Sequence, residues 1–84
     1  MLKVVKYTTF WCSACKVYDP IFEEVKKELP MIKFESKDAE DEDPNYLIEL
    51  GVKAVPTTLI FRDDKLEKMI SGVIPKKDLV SYLT

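Results

Sequence analysis

The chain has 84 residues, of which 46% are hydrophobic and 33% charged, and its formal net charge is −2. That composition suits a single globular domain over residues 1–84 and excludes a disordered chain. The slight acidity gives no reason to expect a nucleic acid or an anionic membrane surface as partner.

No run of residues approaches the roughly 18 consecutive apolar positions needed to span a bilayer. The opening Met1-Leu2-Lys3-Val4-Val5-Lys6 is too short and too interrupted by lysine for a signal peptide. The expectation is therefore a cytoplasmic monomer. The two cysteines both belong to one Cys-x-x-Cys, Cys12 to Cys15. A bridge across so short a loop restrains the unfolded chain very little, so the pair reads as chemistry rather than as a structural staple.

Lys3 to Thr9 is rich in Val, Tyr and Thr and predicts a strand. From Cys12 to Leu29 the period changes. Tyr18, Phe22, Val25 and Leu29 fall on one helical face, which Ile21 widens, while Lys16, Glu23, Lys26 and Lys27 lie off it. Pro20 falls inside this helix and is expected to kink it, and Pro30 stops it. Met31 to Lys37 predicts a second strand. Lys37 to Asp43 carries five acids in seven residues and reads as a solvated loop. Asp43-Pro44 has the form of an N-cap followed by proline at the first helical position, and Gly51 ends that helix after Leu50.

Thr57 to Arg62 is the clearest strand, and Asp63-Asp64 turns it into a partner over Leu66 to Ser71. Gly72 breaks the hairpin. Pro75 to Leu83 closes the chain as a helix with Leu79, Val80 and Leu83 inward. Tyr7, Phe10, Phe34, Leu59 and Phe61 are assigned to the core or its partly buried margin. The resulting order, β-α-β-α-β-β-α, describes an α/β fold with a four-stranded mixed sheet flanked by helices. The strands joined by the long helical crossover are parallel and the terminal hairpin is antiparallel.

Cys12 falls where the first strand gives way to a helix. Free backbone N–H groups and the positive end of the helix dipole favour a thiolate there, and the thiolate is the nucleophile. Cys15, one turn on and on the same face, is placed to attack a mixed disulfide formed at Cys12. Lys16 adds positive potential nearby. A tetrahedral zinc site needs two further Cys or His ligands, and the chain has no histidine and no third cysteine. A two-thiolate Cu(I) site is also disfavoured, because the cysteines follow a tryptophan and enter a long helix. No metal and no cofactor other than the Cys12–Cys15 pair is expected.

The segment Thr9-Phe10-Trp11-Cys12-Ser13-Ala14-Cys15-Lys16 resembles the active-site segment of the thioredoxin superfamily. Pro20 stands where those proteins carry a helix-kinking proline. Leu50-Gly51-Val52-Lys53-Ala54-Val55-Pro56-Thr57 is similar to their cis-proline segment, and Gly72 matches the glycine after the last strand. The resemblance implies a thioredoxin-like fold and a cis Val55–Pro56 bond packed against the cysteines. It implies a docking surface formed by Trp11, Val55, Pro56, Gly72 and Val73, with the Val55 backbone pairing with an extended substrate. It also implies disulfide-containing protein substrates, with Cys12 attacking and Cys15 resolving, and recycling by a thioredoxin reductase. A glutaredoxin recycled by glutathione is the alternative enzyme, since the chain has that group's minimal size. A non-catalytic thioredoxin-fold binding subunit is the alternative of another class.

One departure from the family pattern concerns Lys6, which occupies the position of a buried aspartate six residues before the first cysteine. Ser36 stands for the lysine that usually pairs with that aspartate, and Ser13-Ala14 replaces Gly-Pro between the cysteines. Lys6 is therefore a candidate for tuning the thiols. An ammonium beneath Cys15 would stabilise its thiolate, and a neutral Lys6 would serve as a base. The bland alternative is that Lys6 snorkels to solvent or pairs with an acid such as Asp38.

Overall fold

The computed structural model describes residues 1–84. Strand β1 (Leu2–Thr8) leads into helix α1 (Ser13–Glu28), which returns the chain to strand β2 (Lys33–Asp38). One 3-10 turn, Ala39–Asp41, precedes helix α2 (Pro44–Leu50). Strands β3 (Thr57–Arg62) and β4 (Lys65–Ser71) form a hairpin, and helix α3 (Lys76–Leu83) closes the fold. The sheet order is β2-β1-β3-β4, with β1 and β2 parallel and the other two pairs antiparallel. The expected element order and mixed sheet are thus observed, with ends displaced by one or two residues.

Alternation along β1 divides the core between two faces. Val4 joins Phe34 and Ile60 beneath α1 and α3, where Tyr18, Phe22, Val25, Leu79 and Leu83 cover them. Phe22 meets Tyr18 and Phe34 edge-on, with ring centroids 5.9 and 5.4 Å apart. Each such pair adds about 0.5–1.5 kcal/mol beyond simple burial. Val5, Tyr7 and Leu59 face the other way and are covered by Leu47, Leu50 and Val52.

The turns follow from local chemistry. Asp43 caps α2 through a bond from the Asn45 amide to its carboxylate, Pro44 takes the first turn, and Gly51 ends the helix at φ +87°. A side chain at Gly51 would be strained in that conformation, and its Cβ would come within 3.2 Å of the Met69 methyl.

Three expectations need correction. Phe10, assigned to the core or its margin, is 78% exposed. It stands in the turn between β1 and α1, beyond the alternation that buries Val5 and Tyr7. The acidic segment is also more than a solvated loop. Asp38 accepts from the Glu40 amide to start the 3-10 turn, and the Tyr7 hydroxyl donates to Glu42 at 2.8 Å. Burial first, and then the Glu42 bond, push the Tyr7 phenol above its ordinary range. Finally, Lys6 does pair with an acid, as one alternative had it, but the acid is not Asp38 and the side chain does not snorkel. It is 3% exposed, and its ammonium pairs with Asp19 on α1.

Candidate active site

At the end of β1 the chain makes a tight turn, closed by a Cys12 amide bond to the Thr9 carbonyl at 3.3 Å. Cys12 is the N-cap of α1 in extended conformation, and its sulfur accepts from the Cys15 amide at 3.1 Å. A backbone N–H aimed at sulfur, at the positive end of a 16-residue helix, favours negative charge on Cys12. Cys12 and Cys15 form a disulfide with Cα atoms 5.2 Å apart. Cys12 retains 6% of its surface and Cys15 only 1%, so Cys12 is the less buried of the two residues.

The Val55–Pro56 bond is cis, as the resemblance implied. The Gly72 amide donates to the Pro56 carbonyl at 2.8 Å, so the cis-proline turn and the end of β4 are joined. Trp11, 61% exposed, and Val55 line one groove of about 280 Å³ with Thr9, Leu47, Val52 and Ala54. Val73 is exposed just beyond Gly72. Lys16 is exposed on the first turn of α1.

Beneath α1, Lys6 lies between Ser36 and Thr58 in the sheet register. The Tyr18 hydroxyl shares a 2.7 Å hydrogen bond with Thr58, and burial pushes the Tyr18 phenol up to about 12. Asp19 was not singled out from the sequence. Its spacing of four after Cys15 puts it on the same helical face, one turn on, and that was the available signal.

The family model for thioredoxin matches residues 1–84. The chain belongs to the thioredoxin family. The thioredoxin of Mycoplasmoides gallisepticum is 35% identical over 83 residues, covering 95% of this chain and 79% of that protein. Pea chloroplastic thioredoxin F-type is 35% identical over 69 residues, covering 82% of this chain, which spans 38% of that protein's length. Among solved structures, Fasciola hepatica thioredoxin superposes with a TM-score of 0.83 at 27% identity, covering 98% of this chain and 77% of the other. Thioredoxin membership and the cysteine pair at the helix start together make this a thiol–disulfide oxidoreductase. These relatives are thioredoxins and lend no support to the glutaredoxin alternative. No helix is long and apolar enough to cross a membrane.

Proposed function

We propose that this chain reduces disulfides in protein substrates by dithiol exchange and is recycled by a thioredoxin reductase. The observation that carries the reading is the asymmetry of the two cysteines. Cys12 caps the helix, accepts a backbone N–H and is the less buried, whereas Cys15 is sealed one turn deeper.

In the reduced protein the Cys12 thiolate attacks one sulfur of the substrate disulfide. A Cys12–substrate bond forms and the other substrate sulfur leaves as a thiolate, which takes a proton. Cys15 then loses its proton and attacks Cys12, the mixed disulfide breaks, and the second substrate sulfur leaves. Two electrons pass to the substrate and the Cys12–Cys15 disulfide remains. The pair itself carries the electrons, so no resident cofactor is needed. Trp11, Val55, Pro56, Gly72 and Val73 form the docking strip. The Trp11–Val55 groove and the Gly72–Pro56 bond support that grouping. An extended substrate segment pairs with the Val55 backbone. Lys16 adds only a screened positive charge.

The test is insulin reduction coupled to NADPH and a thioredoxin reductase. Turnover that vanishes in Cys12→Ser supports the reading. A wild-type protein without turnover, together with a double cysteine variant that keeps full biological function, would replace it with a non-catalytic binding subunit.

A further inference from the structure

The layer between α1 and the sheet changes character along its length. Far from the redox centre it is wholly apolar, with Val4, Phe34, Ile60, Phe22 and Val25. Near the redox centre it becomes polar. Lys6 is flanked there by Ser36 and Thr58, Tyr18 bonds to Thr58 from above, and Asp19 pairs with Lys6. The Lys6 ammonium also sits 4.7 Å from the centre of the Phe22 ring. Lys6 and Cys15 are both sealed from water, whereas Asp19 is half exposed.

Burying a lysine is costly unless something uses or neutralises its charge. Asp19 neutralises it, yet a methionine in place of Lys6 would pack more cheaply against Phe22. What distinguishes the site is its neighbour. Cys15 lies four residues before Asp19, which places their Cβ atoms about 5–6 Å apart on one helical face. The remaining charges on this side point elsewhere. Lys76 is held by Glu24 and Glu28 at the far end of α1, Lys68 lies over Tyr82, and Lys16 is in solvent. Tyr18 stays a neutral phenol, as burial raises it.

We propose that Lys6 and Asp19 are an opposed pair of positioning residues for Cys15: Lys6 favours its thiolate, and Asp19 opposes it, both by holding the ammonium and through its own carboxylate. Neither residue gains or loses a bond. They set how readily Cys15 releases its proton to solvent before it attacks the mixed disulfide. The inference rests on the redox reading of the cysteine pair.

The two charges act in opposite directions, so their removal does too. Unit charges within about 10 Å at an effective dielectric of about 20 change an equilibrium by more than about tenfold. Lys6→Met lowers the Cys15 thiolate fraction by about that factor at neutral pH, and Asp19→Asn raises it. Because nucleophilicity falls as a thiol becomes less basic, the rate of the resolving step changes by only about threefold in each case.

The experiment follows the pH dependence of Cys15 alkylation in the Cys12→Ser background, with Lys6→Met, Asp19→Asn and both changes. The expected titration moves up by about one unit with Lys6→Met and down with Asp19→Asn. Asp19→Asn still moves the titration down once Lys6 is gone, because its carboxylate also acts on Cys15 directly. Titrations that coincide within twofold in thiolate fraction, or a movement opposite to that expected for either single variant, overturn the proposal. If Lys6→Met fails to fold, Asp19→Asn at its half-exposed position decides alone, and an unmoved titration overturns it. The redox reading is checked separately, because a protein with both cysteines that forms no reversible disulfide removes that reading whatever the Cys15 titration shows.

Discussion

Replacing Tyr18 with phenylalanine separates two effects that share one hydroxyl group. Tyr18 and Thr58 are both fully buried, and their oxygens are 2.7 Å apart. Removing the phenol oxygen leaves the Thr58 hydroxyl without that partner, at a cost of about 1.5 kcal/mol within the usual range for such a group. At neutral pH Tyr18→Phe is therefore the less stable protein. Alkaline pH acts the other way. In the unfolded chain a tyrosine ionises near pH 10, whereas folded Tyr18 keeps its proton up to about 12. Between those values the unfolded state binds fewer protons, so the wild type loses about 1.4 kcal/mol of stability per pH unit through this residue. Phenylalanine loses none. The Tyr7 phenol, also raised, is common to both proteins and cancels in the difference. The two stability curves cross near pH 11, at about one unit above the point where the decline begins. Urea denaturation at half-unit steps from pH 7 to 12 reads this directly. Adding Thr58→Val to Tyr18→Phe restores most of the neutral-pH loss, since both polar partners are then gone. A constant difference between wild type and Tyr18→Phe at every pH would refute the argument.

The other predictions concern single sites. Cys15→Ser retains the first attack and accumulates a covalent adduct between Cys12 and substrate, detected as a mass increase under non-reducing conditions; a protein that releases product normally contradicts the division of roles. Gly51→Ala costs about 1–2 kcal/mol, because alanine is strained at φ +87° and its methyl group meets Met69; the check is the urea midpoint. Phe10→Ser changes stability by less than about 0.5 kcal/mol, as expected for a side chain outside the core, and a loss of several kcal/mol by the same assay would restore Phe10 to the core.

Much of the fold was legible because its signals are local. The helical spacing of Tyr18, Phe22 and Val25 identified the buried face of α1, and Asp43-Pro44 with Gly51 bounded α2. The parallel crossover pair and the antiparallel hairpin followed from connectivity rules, whereas the order of the strands across the sheet came from the structure. Cys12 and Cys15 were legible from their spacing at a strand–helix junction together with the surrounding motifs, whereas the cis bond at Pro56 came only through the family resemblance. What stayed hidden depends on contacts between distant segments. Composition gives no hint that Tyr7 reaches Glu42, and so the acidic run read as free. Lys6 was legible as an anomaly, but its partner was not. Asp38 is adjacent in the sheet, yet its carboxylate is committed to capping the 3-10 turn, while Asp19 descends from the helix above. Phe10 shows the opposite error, in which hydrophobicity suggested burial and the turn geometry overrode it.

The reversible redox behaviour of the Cys12–Cys15 pair tests the central claim most directly. Equilibration in defined thiol–disulfide buffers, followed by thiol trapping, measures it. The account predicts one two-electron transition closer to the thioredoxin value of about −270 mV than to the strongly oxidising value of about −120 mV. A pair that forms no reversible disulfide, or one poised near the oxidising value, would contradict its assignment as a reductant of protein disulfides.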